Sequence, residues 1–136
     1  MKIDCVLENS AKVPQMATTG SACVDLYAYE NGIVNPNNIC LVDTGVKIAI
    51  PEGHVGLVCS RSGLSLKHQV FVLNSPGVID SDYRGPLKVI LFNASKIPFT
   101  FNEGERIAQL MIVKYEIPQF NIVNELSDST ERGAGG

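Results

Sequence analysis

At 136 residues the chain has the size of a single domain. A composition of 45% hydrophobic and 18% charged residues supports a packed core and excludes wholesale disorder, and a formal net charge of −3 argues against a broad electrostatic grip on nucleic acid. A small anionic substrate stays open, because a few local cations can act against a negative mean.

The first residues, Met1 to Glu8, break their apolar run at Asp4 and Glu8, so no secretory leader is expected. No stretch approaches the roughly 20 apolar residues of a membrane helix. The expectation is therefore a soluble, intracellular protein with no membrane partner and no nucleic-acid partner. Beyond Glu8 the apolar runs are short and the punctuation frequent. Cys40–Val42, Val46–Ile50, Val55–Cys59, Phe99–Phe101 and Ile107–Val113 read as strands, with turn candidates at Asn35–Asn38, Pro51–Gly53 and Asn102–Gly104. Val89–Phe92 is apolar on both faces, which predicts a strand packed between two layers. These elements predict a single-domain all-β fold, a jelly roll or distorted β-barrel sandwich, with one short helix over residues 62–69.

That helix is Ser62–Gln69, which lacks β-alternation and sets Leu64, Leu66 and Lys67 at near-helical spacing, with Ser62 as its expected cap. A helix N-terminus beside the Arg61 guanidinium suits a phosphate, although a capped surface helix with one solvated arginine accounts for the same residues. Next, Asn74 to Gly77 predicts a tight turn and Leu87 to Phe92 a strand. Between them lie Asp80, Asp82, Tyr83 and Arg84, flanked by Gly77 and Gly85, whose bare backbone can approach itself or a ligand.

The remaining polar residues have plain structural readings as well. Asp25 suits a turn or strand end, and Glu105 with Arg106 a turn ion pair, with Arg106 expected to reach Asp82. Gln109 interrupts an apolar strand and needs a partner when buried, either backbone or ligand. Cys5, Cys23, Cys40 and Cys59 are far apart without a Cys-x-x-Cys pair, and His54 and His68 are isolated. Ordinary buried thiols in a reducing compartment are expected, with no disulfide framework or zinc site. Residues 127–136 are polar and glycine-rich, a flexible arm after a β domain of residues 1–126.

Five of these stretches carry a resemblance. Gly77-Val-Ile-Asp-Ser-Asp-Tyr-Arg-Gly85 resembles the third signature motif of the trimeric dUTP diphosphatases (dUTPases). Gly20-Ser-Ala-Cys-Val-Asp-Leu-Tyr-Ala28 resembles the first, Ser-Ala-Gly-x-Asp-Leu-x-Ala, with Cys23 at a position where the family most often has glycine. Cys59-Ser-Arg-Ser-Gly-Leu-Ser65 resembles the second, usually Pro-Arg-Ser-Gly-Leu-Ala, with Ser60 for proline and Ser65 for alanine. Losing that proline is expected to loosen the approach to Arg61. Gly104 to Leu110 resembles the fourth motif, and Arg132 to Gly136 the start of the fifth, with the given chain stopping before that motif's aromatic residue.

The resemblance implies hydrolysis of dUTP to dUMP and diphosphate with Mg2+, which limits uracil in DNA and supplies dUMP for dTTP synthesis. It makes Asp80 the catalytic base and puts Asp25 beside the metal, acting through water. Arg61, Ser62, Gly63, Gln109 and Arg132 would meet the phosphates. Asn74, with backbone from Gly77, Val78 and Ile79, would read the uracil edge; Tyr83 would pack under the deoxyribose, and Lys88 would approach the nucleotide. No serine–histidine or cysteine–histidine pairing points to a covalent intermediate. The resemblance also implies a homotrimer with shared active sites. Two other readings are a dCTP deaminase, which shares the fold, and a non-catalytic regulatory module; Arg61-Ser-Gly63 followed by the complete Gly77–Gly85 motif speaks against the first, and the joint presence of Arg61, Asp80 and Gln109 against the second.

Overall fold

The computed structural model describes residues 1–127 and 129–136, and Asp128, within the predicted arm, lies outside them. Among the described residues it has eleven strands and one helix. In chain order these are β1 (Asp4–Leu7), β2 (Val24–Tyr27), β3 (Gly32–Val34), β4 (Ile39–Asp43), β5 (Val46–Ala49), β6 (His54–Cys59), α1 (Ser62–His68), β7 (Val70–Val72), β8 (Gly77–Ile79), β9 (Lys88–Asn93), β10 (Phe99–Phe101) and β11 (Arg106–Lys114).

Period-two alternation decides which way each strand faces. In β9, Val89, Leu91 and Asn93 are buried, Lys88 is exposed, and Ile90 and Phe92 are half-buried. The expectation of two covered faces for Val89–Phe92 therefore fails. The outward side chains are shielded by neighbouring strands rather than by a second layer: Phe92 lies opposite Ile39 and Phe71, with its ring 5.6 Å from that of Phe71. Inward residues from β2, β4, β6, β7, β9 and β11 form one cluster, with Leu26, Leu87, Leu91 and Ile107 almost completely buried. Each such side chain contributes roughly 1.5–3 kcal/mol over an exposed position.

The strands form an all-β, jelly-roll-like sandwich whose sheets stay open, with no closed barrel among the described residues. One sheet has the order β2-β11-β6-β8 and a second β4-β9-β7; β1 pairs with β5 and β3 with β10. All the pairings are antiparallel. Successive elements β6, β7, β8 and β9 alternate between the first sheet and the second. The chain thus crosses the sandwich three times between residues 59 and 88, and Arg61, Ser62, Asn74, Asp80 and Tyr83 all lie on these crossings.

Asn93 joins three segments at the end of β9. It is 0% exposed, and its Nδ2 donates to the carbonyls of Val34 (2.9 Å) and Ile97 (2.8 Å). Its Oδ1 accepts from the backbone N–H (2.9 Å) and hydroxyl (2.7 Å) of Ser95.

Two local expectations need correction. Ser62 is the first helical residue rather than the cap; the cap position is Arg61, in extended backbone, and no side chain caps the helix. The cysteines are not deeply buried: Cys5 is exposed and Cys23, Cys40 and Cys59 are half-buried, all four free. Each sits on or beside an outward-facing or edge position, which local apolar neighbours in sequence do not reveal.

After Lys114 the described residues form no helix or strand, and the segment exposes Ile117, Phe120 (90%), Ile122 (96%) and Leu126. Among the described residues no helix is long and apolar enough to cross a membrane.

Candidate functional site

The crossing from β8 to β9 gathers one group of the predicted residues. Its turn is closed by the Tyr83 N–H donating to the Asp80 carbonyl at 3.1 Å. Arg84 braces it from outside, with Nη1 donating to the carbonyls of Ser81 (2.6 Å) and Tyr83 (3.1 Å). The Tyr83 hydroxyl donates to the Pro86 carbonyl at 3.0 Å, so the ring folds back over Gly85. A Cβ on residue 85 would lie 2.6 Å from the ring's Cζ, so only glycine admits this placement.

Asp80, exposed, lines a hollow of about 180 Å³ together with Tyr83, Lys88 and Ile79. A smaller hollow of about 50 Å³ beside it is lined by Asn74 and Gly77, and the two share Val78, Ile79 and Lys88. A Cβ on residue 77 would stand 3.2 Å from Asn74 Nδ2, so this glycine lets the amide lie against β8. Asn74, Gly77, Val78, Ile79, Asp80, Tyr83 and Lys88 are therefore brought together.

A second group forms around Asp25 on β2. Its carboxylate is only 8% exposed and faces two guanidinium groups: Arg61 Nε at 3.9 Å and Arg106 Nη1 at 3.6 Å. Arg106 thus pairs with Asp25 and not, as expected, with Asp82. The antiparallel pairing of β2 with β11 brings Arg106 and Gln109 alongside β2, whereas Asp82 sits on the far hairpin. Arg61 Nη1 also donates to the Arg106 carbonyl at 3.2 Å. The group lines a cavity of about 670 Å³ together with Lys12, Gln15, Tyr27 and Glu105.

Gln109 lies between the strands of Asp25 and Cys59, and its Nε2 donates to the Ser60 carbonyl at 2.9 Å. Ser60 itself is tied on both sides: its hydroxyl accepts from the Val72 N–H (2.9 Å) and its N–H donates to the Ser75 hydroxyl (3.4 Å). These two bonds hold Ser60 at the position where the resembled motif usually has proline. Ser62 and Gly63 are exposed, and nothing stands within 4 Å of a Cβ built on Gly63, so no packing demand explains that glycine. Arg132 is exposed in the tail, with Nε donating to the Gly135 carbonyl at 2.8 Å.

Asp80 and Asp25 therefore line different cavities that share no residue. For metal binding, the described residues hold no cluster of three histidines, cysteines or carboxylates. Asp25 is a single carboxylate already balanced by two arginines, a donor set that fits a water-bridged cation carried by a ligand rather than a resident ion.

Sequence reasoning missed Lys12, whose ammonium reaches the Asp25 cavity, and the Arg106 contact to Asp25. Neither had a local signal, since both depend on which strands become neighbours. Cys23 is also drawn in. Burial raises its thiol above the ordinary range, and the charges of Cys59 and Asp25 raise it further. Alkylation of Cys23 at pH 8 is therefore expected to be slow, and Asp25→Asn should speed it, because removing a negative charge favours the thiolate. Peptide-resolved iodoacetamide labelling checks this, and an unchanged or slower rate in the variant contradicts it.

Comparison with known proteins places these features in a lineage. The sequence matches the dUTPase family over residues 9–136. A protein of Orientia tsutsugamushi (strain Boryong) named deoxyuridine 5′-triphosphate nucleotidohydrolase is 45% identical over 131 residues, 95% of this chain and 88% of its own. Among solved structures, a mutant Staphylococcus bacteriophage 80alpha dUTPase with dUpNHpp superposes with a TM-score of 0.91 at 28% identity, covering 99% of this chain and 95% of that one. A mutant dUTPase from phage phi11 of S. aureus, described with a structural Mg(II) ion, has a TM-score of 0.84 at 27% identity and covers 92% and 98%.

Proposed function

Because the chain belongs to the dUTPase family, and is thereby a hydrolase of dUTP, we propose that Asp80 activates the water that splits dUTP into dUMP and diphosphate. The observation that carries this reading is the shared wall of the two hollows on the β8–β9 crossing, which sets the exposed Asp80 carboxylate beside Tyr83 and next to the hollow lined by Asn74. The Asp80 carboxylate takes a proton from water as the water oxygen attacks phosphorus, and the bond to the departing diphosphate breaks. Asn74 presents a donor and an acceptor to the uracil edge, together with backbone groups of Gly77 to Ile79. A base with the wrong pattern leaves these groups unpaired and is rejected. The Tyr83 ring, fixed through Pro86 and Gly85, packs under the deoxyribose and leaves no space for a 2′-hydroxyl.

Arg61, Ser62, Gly63, Gln109 and Arg132 meet the phosphates. Gln109 does so by giving up its bond to the Ser60 carbonyl, and the bare backbone at Gly63 leaves room for an oxygen. Magnesium bound with the triphosphate would neutralise phosphate charge, with Asp25 holding it through water. The separation of the Asp80 and Asp25 groups in one chain favours a site assembled from several copies, a homotrimer, and the exposed apolar residues between Ile117 and Leu126 favour burial against a second copy. In a cell such an enzyme limits uracil in DNA and supplies dUMP for dTTP synthesis.

Diphosphate release is expected from dUTP and not from UTP, dCTP or dTTP. Release of ammonia from dCTP would instead favour a deaminase. Sedimentation should find the active species to be a trimer; an active monomer would refute the shared site.

A further inference from the structure

Lys12 is held more firmly than a surface lysine ordinarily is. Its Nζ donates to the Gly104 carbonyl at 3.1 Å and lies 5.3 Å from the centroid of the Tyr27 ring. The chain segment that carries it is pinned beside β2, where the Asp25 N–H donates to the Gln15 carbonyl at 2.7 Å. Gly104, at φ +83°, leaves the lysine its place: a Cβ there would stand 2.9 Å from Nζ and 3.1 Å from Cε.

Among the described residues this ammonium has no carboxylate partner. The ion pairs among the described residues both go to Asp25, and both are taken by arginines. The cavity of about 670 Å³ that Lys12 shares with Arg61 and Arg106 carries three cations against the carboxylates of Asp25 and Glu105. A positive charge left unneutralised at the wall of an open cavity is a prepared anion contact, and the Gly104 and Tyr27 contacts meet part of its side-chain ordering cost.

We propose that Lys12 is a further phosphate-binding residue of this enzyme, contacting the part of the triphosphate that departs as diphosphate. The inference rests on the reading of the chain as a dUTP hydrolase, and it adds a residue outside the five motif stretches. Lys12 retains N–H donors beyond the one given to Gly104, and it lines the same cavity as Arg61, so both cations can face one polyphosphate. The hairpin group around Asn74 and Tyr83 handles the nucleoside elsewhere, so Lys12 discriminates by phosphate number and not by base or sugar.

The test compares Lys12→Met with the unmodified chain by calorimetry, using dUMP and the imido analogue of dUTP as ligands. Diphosphate release from dUTP by the unmodified protein is scored first; its absence overturns the underlying reading. With that release established, the variant is expected to bind the imido analogue about tenfold more weakly, the size of one charge-assisted contact, and dUMP within about twofold. Its affinity for the analogue should also depend less on ionic strength. Unchanged affinity for the analogue, or equal weakening for both ligands, overturns the role of Lys12.

Discussion

Asp80→Asn is expected to lower dUTP turnover by a factor of about 10²–10⁴, the range for loss of a general base, while binding of a non-hydrolysed dUTP analogue stays within about threefold. The amide keeps the size and hydrogen-bonding reach of the carboxylate but cannot take a proton from water. The turn that holds residue 80 uses only its backbone carbonyl, through the Tyr83 N–H, so the substitution leaves the hairpin intact. Arg84, which braces the same turn, contacts the carbonyls of Ser81 and Tyr83 and not the Asp80 side chain. A chemical effect without a structural one is therefore the expectation. Single-turnover kinetics alongside calorimetry separates the two, and turnover within tenfold of the unmodified enzyme would remove Asp80 from the mechanism.

The largest stability effect is expected at a residue with no catalytic part. Asn93→Asp should cost about 3–5 kcal/mol, because it buries a carboxylate against two carbonyl oxygens. The native amide donates to Val34 and Ile97 and accepts twice from Ser95, so every polar atom of the side chain is used. An aspartate keeps the two accepting contacts and turns both donating ones into repulsions. The backbone of Asn93 is also paired, with its N–H donating to the Asn38 carbonyl at 3.3 Å and its carbonyl accepting from Asn37 at 2.8 Å, which prevents retreat. The shift of the urea midpoint measures this cost, and a loss below about 1 kcal/mol would show that the site relaxes.

The two residues differ in how visible they were beforehand. Asp80 sits in a continuous run of nine residues whose glycines, tyrosine and paired acids mark it as unusual, and its neighbours in space are largely its neighbours in sequence. Asn93 is unremarked at the end of an apolar strand. Its importance comes from Val34, 59 positions away. The same contrast runs through the site. Asn74, Gly77, Ile79, Tyr83 and Lys88 converge because one turn folds back on itself. Asp25, Arg106 and Lys12 converge only because β2 lies between β11 and the segment at Gln15. A charge pattern names the candidates for such a cluster without pairing them, which is why Arg106 was assigned to Asp82. The apolar run of β9 misleads about its outer face, since shielding by Phe71 and Ile39 depends on register.

Ser60 bears on how this protein should be engineered. Consensus design would restore the proline of the motif that Cys59 to Ser65 resembles, on the argument that a rigid residue narrows the unfolded ensemble. Here the serine N–H reaches Ser75 and its hydroxyl holds the Val72 N–H, so proline would strip both bonds at once. One of those links leads to the turn before β8, and the other to the strand after α1. The motif's proline is thus a poor guide at this position: it would free the Ser75 hydroxyl and leave the Val72 N–H to find another acceptor.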